Sequence, residues 1–360
     1  MSWVTLPVLS ILFALQVSPL RAATTLTVGG CKAHSYPTIS AAVAAAPAGA
    51  TVQVCPGTYP EQILISQPLT LEGISNGNAG AAVITSPSTG LAANGYSLLW
   101  GTISSQVLVE NTDVTISDLV IDGSNSQVAC TEYNSYQAGI YLINSLATVE
   151  NVEVRNQDFA APLLCGVGIW VEVNSSSNAS ITIQDSNIHD FNFYGIFVET
   201  TGSETGTLTA AVTSNWIQSS NGSYGIATSG SVAAQINKNQ IAGIYSGILM
   251  NGLPNGTAAD NTLQNIYTTG INAYAPSQIV TGNRISGPLE GIFVEFGPAT
   301  ISSNTISHTI HAAIDLQCSP ATLEGNVLNG GGFGVVLPLS AIPASNQFYN
   351  VVEPVLGGTC

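Results

Sequence analysis

The chain has 360 residues, 45% of them hydrophobic and only 7% charged, against about 25% charged in an ordinary domain. Its 21 acidic residues face five basic ones (Arg21, Lys32, Arg155, Lys238 and Arg284), for a formal charge of −16. That balance excludes nucleic acid and anionic membrane surfaces as partners, and an acidic polysaccharide would need a divalent cation to bridge it.

Val4 to Val17 is an apolar run followed by Ser18-Pro-Leu-Arg-Ala-Ala23. The run has the length of a signal-peptide core and is short for a membrane span. Residues 1–23 are therefore read as a signal peptide, and the mature chain as secreted, periplasmic or at the cell surface, monomeric and not inserted in a membrane. Six cysteines with no C-x-x-C agree with an oxidising compartment. Pairing neighbours along the chain gives the expected disulfides Cys31–Cys55, Cys130–Cys165 and Cys318–Cys360.

Thr24 to Val28 reads as a strand and Tyr36 to Pro47 as a short helix with Thr38 as N-cap, an alanine run, and Pro47-Ala-Gly49 to end it. Thr51 to Tyr59, Ile63 to Ile65 and Leu69 to Glu72 then read as three strands. From Gln106 to Glu172 the units lengthen: the bend residues Asp118, Asn151, Asp185 and Asn215 step by 33, 34 and 30. The extra residues lie in Cys130 to Ala138, Gln157 to Val167, Asn174 to Ser180 and Thr200 to Thr207. Insertions in a solenoid become loops on one rim, so a site is expected in these middle coils.

From Ile181 to Pro338 a short phrase recurs. Asn215, Asn239, Asn261, Asn283, Asn304 and Asn326 step by 24, 22, 22, 21 and 22, each followed two residues later by Ile or Leu. Gly-Ile pairs begin at Gly195, Gly225, Gly247, Gly270 and Gly291, with Ala313-Ile314 and Gly334-Val335 after them. Such a period means stacked supersecondary units. Alternating β-branched and aromatic residues inside each period, as from Gly291 to Glu295, argue strand. Three short strands per 22 residues, bent at Asn and Gly, predict an all-β, right-handed parallel β-helix of about ten coils. Asn and Gly tolerate the left-handed backbone, and stacked Asn side chains can bond from coil to coil. The β-helix is expected over 24–340, with an N-terminal cap in 24–60 and a tail at 341–360 that loses the repeat and packs over the last coil.

Tyr36 to Val43, Val54 to Glu61 and Leu69 to Gly73, followed by these repeats, resemble the pectin-lyase-like β-helix superfamily, pectinesterases included. The resemblance implies the fold over roughly residues 24 to 340. It implies no catalytic residue, because the local signatures of pectinesterases, pectate lyases, polygalacturonases and alginate epimerases do not occur in the chain.

Register turns the repeat into columns. The outward residue after each Gly-Ile gives Tyr141, Trp170, Phe197, Ala227, Leu249, Asn272, Phe293 and Asp315. The next outward position gives Ile143, Glu172, Glu199, Ser229, Asn251, Tyr274, Glu295 and Gln317. Coils stack about 4.8 Å apart, so Glu172 should adjoin Glu199, and Trp170 should adjoin Phe197. Two like charges so close push one pKa upward, as a general acid requires. Tyr141, Trp170 and Phe197 would supply a sugar-stacking platform, with Glu172 and Glu199 as acid and base or nucleophile. The same pair suits Ca2+, and the same aromatics suit a satellite core beneath the inserted loops. A second column, Asp122, Arg155, His189 and Gln218, with Glu153 and Asn187 beside it, reads either as auxiliary catalytic groups (Arg155, His189) or as a surface ion-pair ladder. His34, His308 and His311 stand apart, and no spacing suggests a zinc or iron site. The resulting expectation is an exported β-helix that binds a polysaccharide or cell-surface glycan and carries a candidate acid pair for cleaving it; the alternative is a non-catalytic adhesion solenoid.

Overall fold

Alternate residues of each strand are apolar, and the strands bury those residues inward: Ala50, Val52 and Val54 in Ala50–Val54, or Val232, Ala234 and Ile236 in Val232–Asn237. The structure, a computed structural model, describes residues 24–74, 80–128, 135–158, 164–176, 178–202, 206–338, 340 and 342–357. The expected signal segment, Cys130 and Cys360 lie outside these residues.

The strands build the expected right-handed parallel β-helix. Its first face is a sheet of 12 strands running from Thr25–Val28 to Ala321–Glu324, each in parallel register with the coil before it. After a bend the chain enters the second face, in strands such as Glu153–Gln157 and Arg284–Ser286. It then enters the third, in strands such as Gly166–Val173, Tyr194–Thr200 and Glu290–Val294. One continuous apolar core fills the space between the faces. Cys31 is bridged to Cys55 as expected. Cys165 and Cys318 are disulfide-bonded too, although their expected partners are the two undescribed cysteines.

The helix spans Ile39–Ala45 and covers the open end of the first coil with Ile39, Ala42 and Val43. Thr38 is its N-cap, its Oγ1 accepting from Ala41 N at 3.2 Å. The Glu61 carboxylate accepts from Ile39 N at 2.8 Å and Ser40 N at 2.9 Å, satisfying further first-turn donors.

The bends work differently from the expectation. Asn215, Asn239, Asn261, Asn283, Asn304 and Asn326 are buried, and each Nδ2 donates to Oδ1 of the next coil's Asn at 2.8–3.0 Å. The left-handed residue is the one before each Asn: Ser214, Lys238, Asp260, Gly282, Ser303 and Gly325 all have φ between 57° and 68°. Asp118, Asn151 and Asp185 are left-handed as well and align with Ser214, so the Asp185 to Asn215 step joined two different columns. The Gly-Ile glycines are not bends. A Cβ on Gly247 would lie 2.4 Å from the Gly270 carbonyl oxygen and 2.3 Å from Leu263, so these positions are bare because adjacent coils pass too close for a side chain.

The tail is a second correction. Gln347–Leu356 pairs in parallel with Val327–Val336, and Asn346 continues the Asn ladder, so the repeat runs one coil further than expected.

Candidate functional site

The predicted columns form in the predicted register. Tyr141 pairs with Trp170, Trp170 with Phe197 and Glu172 with Glu199 on the third face. Asp122 pairs with Arg155, Arg155 with His189 and His189 with Gln218 on the second. The two groups stand on different faces of the coil, so Arg155 and His189 are not brought to the glutamates.

The aromatic platform is not open. The strands Gly95–Ser97 and Gly101–Glu110 form an antiparallel hairpin whose Leu98 to Trp100 turn folds over the middle coils. Trp100 packs edge-on against Tyr136, Trp170, Phe193 and Phe197 with ring centroids 5.6–6.2 Å apart. Trp170 and Tyr141 are fully buried and Phe197 is 3% exposed, so these rings make a second core outside the coil. The cause is physical: a run of large apolar rings on an outer face buries itself if any segment is free to cover it.

The carboxylates are buried with them, at 0% exposure for Glu172 and 1% for Glu199. Glu172 accepts from Tyr141 OH at 2.6 Å and from Thr201 Oγ1 at 2.5 Å. Glu199 accepts from Trp170 Nε1 and from Trp100 Nε1, each at 3.0 Å. All four oxygens thus have a neutral donor, and no Lys or Arg among the described residues pairs with either group. Burial, reinforced by the charge of Glu172, pushes Glu199 up to about 8 despite the two indole donors. Burial, with Glu172 and Glu199 beside it, raises the Tyr141 phenol as well.

Arg155 is held in a ladder. Its Nε donates to Asp122 Oδ2 at 2.9 Å and its Nη1 to Glu153 Oε1 at 2.6 Å, while His189 lies 3.3 Å from Glu153 and 2.7 Å from Asp190. Burial works against ionisation of Asp122, yet bonds from Ser124, Asn156 and Arg155 outweigh it and hold the group at about 2.

Beyond Ser229 the hairpin no longer covers the third face. Leu249, Tyr274 and Phe293 are half-buried there, Leu249 still against the edge of the outer core. Tyr245 and Tyr267 stand exposed just before the strands of this face, and Phe296 stands just after them at 74% exposure. Tyr274 lies 5.8 Å from Phe293 and 6.1 Å from Phe296 by ring centroid. Phe296 is also left-handed at φ 68°, a strained state for a bulky residue. Glu290, Glu295, Asn251 and Asn272 stand among these rings. Close by, the sequence reading missed a second grouping: one ligand atom each of Glu290, His311 and Asp315 fall within 4.8 Å of one another. His311 lies 21 residues from Glu290, one coil away, so the repeat period was the signal that could have joined them.

Coils in parallel register, an Asn ladder and an N-terminal helical cap define a right-handed parallel β-helix. Residues 167–350 match the right handed beta helix region family, and the chain belongs to it. No curated protein matches the sequence. Among solved structures, a GH136 lacto-N-biosidase from Eubacterium ramulus is similar with a TM-score of 0.64 at 13% identity, covering 94% of this chain and 69% of that one. PfbA, a surface adhesin of Streptococcus pneumoniae, gives 0.53 at 14% identity over 88% and 85%. The A-module of Azotobacter vinelandii mannuronan C-5 epimerase AlgE4 gives 0.50 at 17% identity over 88% and 92%. At these identities the likeness is one of fold. No helix among the described residues is long and apolar enough to cross a membrane.

Proposed function

We propose that this chain is an exported β-helix that binds a polysaccharide or cell-surface glycan along the uncovered part of its third face. The observation that carries the reading is the set of accessible rings there, Tyr245, Tyr267, Tyr274, Phe293 and Phe296, interleaved with carboxylate and amide side chains. Flat rings beside hydrogen-bonding groups match the alternation of C–H faces and hydroxyls on a sugar chain. A disulfide in the first coil supports export. The named neighbours support the ligand class: one is a lacto-N-biosidase, one a mannuronan epimerase module and one an adhesin.

The reading is binding without cleavage. Glu172 and Glu199 would serve as acid and base only if the Leu98 to Trp100 turn lifted away, because Trp100 closes over Glu199. A glycan array on the mature protein, repeated with the double variant Tyr274→Ala and Phe296→Ala, tests the proposal. Retained folding with at least about tenfold weaker binding is expected, since an aromatic contact is worth about 1 kcal/mol or more. No binding by the parent, or full binding by the variant, sinks it. Released oligosaccharide from any bound glycan would favour the cleaving alternative, and its loss in Glu172→Gln would assign it to the buried pair.

A further inference from the structure

Asp315 closes the strand Ala312–Asp315 and is 2% exposed. Its carboxylate accepts from Gln317 N at 3.1 Å and Gln317 Nε2 at 3.0 Å, both neutral donors. Among the described residues no Lys or Arg pairs with it. A buried carboxylate without a cation is costly. The groups that do reach it are a second carboxylate, Glu290, and the imidazole of His311.

Their arrangement suits an ion better than it suits a bare side-chain cluster. His311 Nδ1 faces Glu290 Oε1 at 3.5 Å. The His311 ring is set edge-on against Phe333 at 5.6 Å. Its backbone is fixed on both sides, with His311 N donating to Leu289 O at 2.9 Å and Phe333 N donating to His311 O at 2.7 Å. The side chains of His311 and Glu290 are 43% and 18% exposed, which leaves a path in from solvent.

We propose that Glu290, His311 and Asp315 form a site for a divalent transition cation of the zinc type. The donor set decides the class. Ca2+ and Mg2+ take oxygen ligands throughout, whereas Zn2+ and its neighbours accept imidazole nitrogen together with carboxylate oxygen. Ligand atoms around a tetrahedral zinc sit about 3.3 Å apart. The three ligand atoms lie within 4.8 Å of one another, and binding would draw them in to that spacing. Three protein ligands leave a coordination position open, as in zinc sites that also hold water or a second ligand. That position would lie beside Phe293, on the uncovered third face, and would give a strongly acidic protein a means of holding an anionic group.

The test does not depend on any glycan. The full-length mature protein is stripped with a chelator and titrated separately with ZnCl2, MnCl2 and CaCl2 by calorimetry, and with CoCl2 by visible absorption. One equivalent of Zn2+ should bind, with Ca2+ far weaker, and Co2+ should show the ligand-field bands of a mixed nitrogen and oxygen site. His311→Ala and Asp315→Asn should each weaken Zn2+ by more than the roughly 10- to 100-fold that loss of an outer-shell partner costs. His308→Ala, at an exposed histidine three residues before His311, should leave it unchanged and controls for adventitious histidine binding. His311 is accessible, so its variant should fold, and circular dichroism checks that. No saturable Zn2+ binding by the parent, equal binding by all three variants, or stronger binding of Ca2+ than of Zn2+ would each overturn the proposal.

Discussion

Replacing Glu199 by Gln should remove a fall in stability as pH rises through neutrality. In the folded chain Glu199 holds its proton up to about 8, because burial penalises the charged form, whereas an ordinary glutamate releases it near 4.5. The sign follows from linkage. Between these two values the folded state binds a proton that the unfolded state does not, so stability is fully present below about 4.5 and is lost as pH rises to about 8. One such proton costs about 1.4 kcal/mol per pH unit, or about 5 kcal/mol across the window. Gln has no charge to desolvate, so the variant should lose that slope. Its amide offers one acceptor oxygen where two indole N–H groups now donate, which should cost about 1–2 kcal/mol at pH 5. The two stability curves should therefore cross, with the variant weaker at pH 5 and stronger at pH 8. Urea unfolding at fixed pH values, followed by circular dichroism, measures both. Parallel curves for parent and variant across this window would refute the burial argument.

Asp122→Asn acts in a separate window. Asp122 is held at about 2 against an ordinary 3.8, so its contribution is present above 3.8 and disappears as pH falls through about 2. The variant should flatten the acid limb there by about 1–2 kcal/mol, measured by the same titration, allowing for partial solvent screening. Asn261→Ala should cost about 3–5 kcal/mol in chemical denaturation. It strips the Oδ1 acceptor from Asn239 N and Nδ2 and the donor from Ile236 O, all buried. Asn350→Ala removes only one exposed 3.3 Å bond but leaves an alanine at a left-handed φ of 53°, and should cost about 1 kcal/mol, well below Asn261→Ala. Trp100→Ala should cost about 3–5 kcal/mol and open Trp170 to a soluble fluorescence quencher, because the ring seals the outer core.

The coil geometry was legible because it is periodic. A parallel stack turns a fixed step along the sequence into a spatial neighbour, so the pairing of Glu172 with Glu199, 27 residues apart, could be read from spacing alone. Details within a period were less so. Ser214 and Asn215 are adjacent and both polar, and nothing in their types says which is left-handed and which builds the ladder. The glycines of the Gly-Ile pairs and the glycines at bends look alike in sequence, yet one set answers to coil spacing and the other to positive φ. Val351 and Val355 do alternate along the last strand, but the tail lacks the Gly-Ile phrase, which hid its coil.

What covers the middle of the third face was invisible for the opposite reason. Trp100 reaches Glu199 across 99 residues, a separation unrelated to the period, in a hairpin that interrupts the repeat. Column reasoning finds which side chains stack, but not whether an aperiodic segment lies on top of them. The same consideration says where a ligand has room. Coils with about ten inserted residues carry the largest rings and are roofed, while coils of 21 to 24 residues between Asn215 and Asn326 have no length to spare for a roof. Their outward rings, Tyr245, Tyr267, Tyr274 and Phe296, stay accessible because the short coil supplies nothing to bury them. Exposed rings on an unroofed parallel sheet cost solubility unless something uses them, and that asymmetry along one face is why the shorter coils, rather than the loop-rich ones, are the better place to look for the ligand.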